Sequence, residues 1–142
     1  MSNFKILSGG WSELQSAVGP VREAVFIREQ QIAPADEWDA QDLVSLHFAV
    51  MDGEACIATA RLLENHSIGR VAVLSSSRGK GIGKLLMLAV IEVAKKQGRP
   101  FVKLSSQVHA IEFYVGLGFK VQGEEYLDCG IPHIDMSMSF VD

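Results

Sequence analysis

The sequence predicts an α+β fold, in which a mixed, mostly antiparallel central sheet of about seven strands is flanked by about four helices. Three observations support this prediction. The turn signal Asp52-Gly53 joins two apolar runs as a hairpin. A strand, a glycine-rich loop and a long apolar helix follow one another between positions 68 and 97. The segment from Ile134 to Phe140 alternates between apolar and polar side chains, as a final strand does.

The first part of the chain is predicted to hold one strand, two helices and an acidic loop. Phe4 and Ile6 alternate with polar residues and indicate the first strand. Gly19-Pro20 interrupts a helical pattern, because proline is disfavoured inside a helix. We therefore expect one helix to end near Val18 and a second to run from Pro20 to about Gln31. A solvated loop follows, with four carboxylates that could attract a cationic amine: Asp36, Glu37, Asp39 and Asp42.

The remaining elements alternate in type. Strands are expected at 43–51, 54–64 and 68–74, and they should form three antiparallel neighbours in succession. A buried helix is then predicted over 84–97, with Gly98 as its stop signal. A short strand at 101–104, a helix from about Ala110 to Leu117 and strands at 119–126 and 134–140 complete the order.

The loop Arg78-Gly79-Lys80-Gly81-Ile82-Gly83-Lys84 is the strongest functional signal in the sequence. It follows a strand and opens a helix, and its glycines let successive backbone N–H groups point toward one anion. Arg78 and the two lysines can add charge-assisted contacts. The sequence therefore predicts a pyrophosphate site on this loop.

Two nucleotide-binding motifs do not fit this loop. A phosphate-binding P-loop needs a hydroxyl residue after its lysine, but Lys84 is followed by Leu85. A dinucleotide fold needs an acidic residue at the end of the next strand, which here reads Leu104-Ser105-Ser106. Both nucleotide-binding interpretations therefore fail for this loop.

Length and composition limit the other classes. The 142 residues fit one domain, and 13 basic against 17 acidic residues give a formal charge of −4, which disfavours nucleic acid as a partner. Cys56 and Cys129 do not form a CxxC pair, so no metal site is expected. The segment from Met1 to Gly10 does not resemble a signal peptide, and no run approaches the ~20 apolar residues of a membrane span. We therefore expect a cytoplasmic protein without membrane contact.

Two motifs resemble the GNAT superfamily of N-acetyltransferases. The segment from Arg70 to Met87 looks like the acetyl-CoA motif of that superfamily, because Arg78, Gly81 and Gly83 reproduce its Arg-x-x-Gly-x-Gly pattern. The segment from Gln107 to Phe119 resembles the second signature. The stretches 25–30 and 130–136 are similar to the ElaA-like or YjcF-like branch, most members of which have no assigned substrate.

The resemblance implies that residues 1–142 form a single N-acetyltransferase domain. Acetyl-CoA would be the acyl donor, with its pantetheine arm between two splayed strands, and no metal would take part. Tyr114 would be the catalytic acid that protonates the departing thiolate. The residues expected to contact the donor are Val71, Ala72, Val73, Arg78, Gly79, Lys80, Gly81, Ile82, Gly83, Lys84, Gln107 and Phe113.

The acceptor is less well defined. The resemblance implies a primary amine that attacks the thioester directly in a ternary complex, with Glu29, His47, His133 or a water molecule as the base. A small-molecule amine is favoured, but an amino sugar, an antibiotic or a protein N-terminus stays open, and so does a homodimer. Two alternatives also stay open: a CoA-binding sensor or regulatory module without turnover, and an interaction domain that holds no ligand.

Overall fold

Seven strands make one sheet in the computed structural model, which describes residues 4–141. In chain order the strands are β1 Phe4–Gly9, β2 Leu46–Asp52, β3 Ala55–Leu62, β4 Ser67–Val73, β5 Phe101–Gln107, β6 Lys120–Asp128 and β7 Ile131–Ser139. They lie in the order β1-β2-β3-β4-β5-β7-β6. Only β4 and β5 pair in parallel, while the other neighbouring pairs are antiparallel. The predicted mixed, mostly antiparallel sheet is confirmed.

Helices cover both faces of the sheet. Within residues 4–141 there are four α-helices and one π-helical stretch: α1 Trp11–Arg22, the π-helix Glu23–Glu29, α2 Pro34–Glu37, α3 Ile82–Lys96 and α4 Ile111–Leu117. Helix α1 packs on the face that carries Ala49. Helices α3 and α4 share the main core with the opposite face, which carries Phe48 and Val50. We call these the α1 face and the α3/α4 face.

The predicted break at Gly19-Pro20 is wrong. Helix α1 continues through Pro20 to Arg22 and then widens into the π-helix, where the N–H of Gln30 donates to the carbonyl of Val25 at 3.0 Å. Pro20 is exposed, so the carbonyl that it leaves without a helical partner can be hydrated. Burial of Val18 and Val21 on either side favours the continuous helix.

The prediction of a solvated acidic loop is also wrong for two of its four carboxylates, Glu37 and Asp42. The segment forms α2 and a 3-10 turn at Ala40–Val44, and the side chains of Glu37 and Asp42 are only 2% and 3% exposed. These carboxylates lie in an ion-pair cluster that draws its arginines from α1, β3 and β4. Its members are Arg22, Glu37, Asp39, Asp42, Arg61 and Arg70.

The other predicted elements are present, with shifted ends. Strand β5 runs three residues past the predicted end at Leu104, because Ser105 to Gln107 still pair with β7. Gly98 follows α3 with a positive φ of 75°, as a C-terminal stop does. Among residues 4–141, no helix is long and apolar enough to cross a membrane. The first three residues of the segment Met1 to Gly10 lie outside the described range.

Candidate active site

The central feature of the site is a gap in the sheet between β4 and β5. Their parallel pairing is limited to Ser67 with Lys103 and Ile68 with Leu104, although both strands continue for several residues. The strands therefore part toward their carboxyl ends. A cleft of about 610 Å³ opens there, bounded by the end of the π-helix, β4, β5 and α4. The predicted donor contacts Val71, Ala72 and Val73 line this cleft.

A β-bulge in β4 accompanies the gap. Thr59 pairs with Ala72 and Arg61 pairs with Gly69. One residue of β3 therefore lies opposite two residues of β4, so β4 carries one extra residue. Arg70 lies in the bulge with a φ of 50°, which is uncommon for any residue other than glycine. Its guanidinium donates to the backbone carbonyl of Glu37 at 2.9 Å, so the ion-pair cluster helps to hold this conformation.

The glycine loop provides unpaired amides at the start of α3. Gly79 and Gly81 adopt φ values of 79° and 78°, and Gly81 is the N-cap of the helix. None of the N–H groups at positions 79–84 donates to a backbone carbonyl within the described chain. A Cβ at Gly83 would lie 3.5 Å from the ring of Phe113, at ordinary van der Waals distance. The arrangement is that of an anion-binding helix N-terminus.

The charged residues of the loop differ in their surroundings. The guanidinium of Arg78 makes two bonds to the carboxylate of Glu29, at 2.7 and 2.8 Å, and its Nε donates to the Val73 carbonyl at 3.0 Å. The hydrogen bond from Arg78 lowers the pKa of Glu29. Lys80 and Lys84 are exposed. Ile82 is buried in the main core, so only its backbone can reach a ligand.

Tyr114 places a hydroxyl in the cleft from α4. Its side chain is 8% exposed, and burial raises its pKa to about 12. The ring meets those of Phe113 and Phe119 edge-on, with centroids 5.0 and 5.8 Å away. Its hydroxyl has no hydrogen-bond partner among residues 4–141, which leaves it available to a ligand. Phe113 also lines the cleft.

Gln107 lies at the end of β5 and bridges the cleft to the π-helix. Its side-chain amide donates to the side-chain oxygen of Gln30 at 2.9 Å, and its own oxygen lies 2.7 Å from Nε2 of His109. The sequence predicted a donor contact at Gln107, and the structure places it at the cleft with its amide engaged by these two residues.

The three candidate bases occupy different environments. His133 lines the cleft, and its Nδ1 lies 2.6 Å from the carbonyl of Ile131. Since a carbonyl can only accept, Nδ1 donates to it, and in the neutral ring Nε2 then carries the lone pair. His47 is 1% exposed, bonds the Asp42 carbonyl through Nε2 and does not line the cleft. Glu29 lines the cleft but is paired with Arg78.

A second depression, of about 700 Å³, lies beside α1 and includes Trp11 and Trp38. Asp39 and Asp42 of the acidic segment line it, but none of the predicted donor contacts, candidate bases or Tyr114 does. The guanidinium of Arg22 lies between the two indole rings, 5.5 and 4.8 Å from their centroids. We therefore place the candidate active site in the cleft between β4 and β5.

Sequence reasoning missed two arginines of the ion-pair cluster, which also contains the cleft-lining residues Glu37 and Arg70. Arg22 and Arg61 hold the carboxylates of the cluster at 2.7–2.9 Å. The available signal was a charged residue inside an apolar pattern, since Arg22 follows Val21 and Arg61 precedes Leu62. Such a residue is rarely buried without a partner.

Gln30, His109 and Asp128 were missed for a different reason. They lie at the cleft because the ends of the π-helix, β5 and β6 converge there. No local pattern in the sequence indicates that convergence.

Fold and site together define a class of acyltransferases in which a glycine loop at a helix N-terminus adjoins a gap in the sheet. Residues 18–140 match the family model described as an acetyltransferase (GNAT) domain. The chain belongs to this family of N-acetyltransferases, as the motifs around Arg78 and Tyr114 indicate.

Individual relatives give a narrower placement. The chain is 37% identical to an uncharacterized N-acetyltransferase, YjcF of Bacillus subtilis, with 82% of this chain and 86% of YjcF covered. It resembles the crystal structure of Escherichia coli ElaA with a TM-score of 0.87 and 30% identity, covering 96% of this chain and 100% of that one. An acyl-CoA N-acyltransferase from Pseudomonas aeruginosa gives a TM-score of 0.86 at 30% identity, with 96% and 100% covered. The resemblance to the ElaA-like or YjcF-like branch is confirmed.

Proposed function

We propose that the protein transfers an acetyl group from acetyl-CoA to a primary amine of a small molecule, by direct attack in a ternary complex. The observation that carries the proposal is the run of unpaired amides at 79–84, next to a cleft that contains an unpartnered tyrosine hydroxyl. The Pseudomonas relative, named as an acyl-CoA N-acyltransferase, supports an acyl-CoA donor.

The donor would lie along the gap between β4 and β5. Its pyrophosphate would accept hydrogen bonds from the loop amides, and Lys80 and Lys84 would add charge from the exposed side. Its pantetheine arm would pair with the free edge of β4 beyond Ile68. An N–H of this edge would polarise the thioester carbonyl, on whose oxygen negative charge develops during attack.

His133 is the base in this proposal. Its Nε2 carries a lone pair, and its side chain alternates along β7 with Ile134, whose side chain lies in the α3/α4 core. His133 therefore faces the α1 side, where an acceptor can enter without crossing the donor. The carboxylate of Glu29 is a weaker base because Arg78 lowers its pKa.

The reaction balances with these two residues. The amine nitrogen attacks the carbonyl carbon and gives its proton to Nε2 of His133. The C–S bond breaks, and the thiolate takes the proton of the Tyr114 hydroxyl, which its raised pKa keeps protonated at neutral pH. Solvent then returns a proton to Tyr114 and removes one from His133.

Two glycine variants test the donor site with a matched control. Gly81→Ala and Gly98→Ala both introduce a Cβ at a left-handed φ, of 78° and 75°, and neither Cβ would meet a protein atom within 4 Å. Both should therefore lose about 1–2 kcal/mol of stability from the same backbone strain. Only Gly81→Ala adds an atom at the proposed pyrophosphate.

The readout is thermal unfolding with and without acetyl-CoA. A ligand at 100 times its dissociation constant adds about 2.7 kcal/mol to stability, and Gly81→Ala should lose most of this gain while Gly98→Ala keeps it. Equal gains in the two variants would contradict the anion site. Release of free thiol with a panel of amines then tests turnover, and binding without release would favour the sensor.

A further inference from the structure

The acceptor side of the cleft holds two carboxylates without ion-pair partners. Four acidic side chains line the cleft, and Glu29 and Glu37 are paired with arginines. Asp36 and Asp128 form no ion pair within residues 4–141. They come from α2 and from the end of β6, so two separate elements bring them to one place.

Asp36, Asp128 and Cys129 line the same cleft. In agreement with this, partial desolvation, then the charge of Asp128 and the charge of Asp36, raise the pKa of the Cys129 thiol. Both carboxylates therefore act on one point at the turn between β6 and β7. The backbone carbonyl of Asp36 also accepts from Arg70 at 3.3 Å, which fixes α2 over the bulge in β4.

The same cleft contains a mostly buried histidine with one unpartnered ring nitrogen. His133 is 9% exposed as a residue, and its Nε2 has no hydrogen-bond partner among the described residues. This observation is independent of the carboxylates and favours a polar ligand group at that nitrogen. A lone pair beside two negative charges favours a donor that is also a cation, such as an ammonium group.

The geometry points to an acceptor with two cationic groups, and this inference rests on the function proposed above. We infer that one ammonium group of a diamine or polyamine passes its first proton through His133 to solvent. The neutral amine then attacks the thioester and gives its second proton to His133, as in the reaction proposed above. The second ammonium group stays charged and binds between Asp36 and Asp128. It neutralises their field at the reacting amine, which otherwise favours the protonated, unreactive form of that amine.

A series of acceptors and one double variant test the inference. The acceptors are α,ω-diamines from propane to hexane and the monoamines of equal chain length, with thiol release as the assay. The variant is Asp36→Asn combined with Asp128→Asn, and the two single variants are measured beside it. Glu125→Gln is the matched control, because Glu125 is exposed on β6 and does not line the cleft.

We expect kcat/KM for the best diamine to exceed that of its monoamine about fivefold or more in the unchanged protein. Each Asp→Asn change should lower the diamine value by up to about fivefold and leave the monoamine within about twofold. Salt at about 0.5 M should narrow the difference between diamine and monoamine. The Glu125→Gln variant should behave as the unchanged protein.

Two kinds of failure are distinguishable. Equal diamine-to-monoamine ratios in the unchanged protein and in the double variant would overturn the dication inference while amine acetylation stands. No thiol release with any amine, in a protein that binds acetyl-CoA, would overturn the proposed function and the inference together. Both aspartates are exposed, so unfolding curves of the variants should match that of the unchanged protein.

Discussion

Replacing Tyr114 by phenylalanine removes one hydroxyl and keeps the ring that packs on Phe113 and Phe119. The hydroxyl makes no hydrogen bond within residues 4–141, although the side chain is only 8% exposed. The hydroxyl opens onto the cleft, so its removal leaves no protein group unpaired. The free energy of unfolding of Tyr114→Phe should therefore stay within about 0.5 kcal/mol of that of the unchanged protein.

The rate should change much more than the stability. Removal of a general acid lowers the rate by about 10²–10⁴-fold. A phenol with a pKa of about 12 is a weaker acid than an ordinary tyrosine, so we expect kcat to fall by about 10²-fold, the low end of that range. That loss corresponds to about 2.7 kcal/mol of activation free energy. The KM for acetyl-CoA should change much less, since the contact forms mainly in the transition state.

Thiol release gives kcat, and the ultraviolet absorbance of tyrosinate gives the pKa directly. The chain has two tyrosines, so the difference between the titrations of the unchanged protein and Tyr114→Phe isolates Tyr114. Its ionisation should appear near pH 12. Full activity in Tyr114→Phe would refute the acid role, and so would a loss of rate that follows a loss of folded protein. A smaller loss with a more acidic leaving thiol would support it.

Two further predictions concern the ion-pair cluster and its neighbour. Arg22→Met leaves Glu37 and Asp42 buried without that guanidinium, so urea unfolding should show a free energy of unfolding lower by about 3–5 kcal/mol. Arg28→Met removes an exposed ion pair and should lower it by about 1 kcal/mol or less. Similar losses in the two variants would contradict the buried pairing. Burial lowers the pKa of His47. Below about pH 6.5 the unfolded state therefore takes up a proton that the folded state does not, and the free energy of unfolding decreases as the pH is lowered. His47→Gln should reduce that fall by at most ~1.4 kcal/mol per pH unit, and identical pH dependence would show that His47 does not contribute.

Local sequence signals were sufficient for the strands and for the glycine loop. Strand alternation and the hairpin at Asp52-Gly53 depend on neighbouring residues, and the loop glycines meet the backbone requirements that their spacing indicates. The predicted helix break at Gly19-Pro20 was wrong because tertiary packing outweighed the local preference of proline. The buried residues Val18 and Val21 favour one helix more than Pro20 disfavours it.

The polar interior was beyond local reasoning. Arg22 and its partner Asp42 are twenty residues apart, and Arg61 reaches Asp42 from a different element. The acidic segment 36–42 was therefore interpreted as a solvated loop, although arginines from other elements make the burial of its carboxylates favourable. The positions of Asp36 and Asp128 at one cleft likewise arise because α2 and the end of β6, far apart in the chain, both reach it.

The parted strands also affect how this site responds to mutagenesis. Beyond Ile68 and Leu104, the sheet has two inner edges whose N–H and C=O groups face a gap instead of each other. A ligand with amides of its own can fill that gap as a short extra strand and bind through the main chain. Alanine substitutions leave main-chain groups in place, so an alanine scan of β4 would underestimate what this strand contributes to binding. Backbone ester substitution, which removes single N–H donors, would measure that contribution.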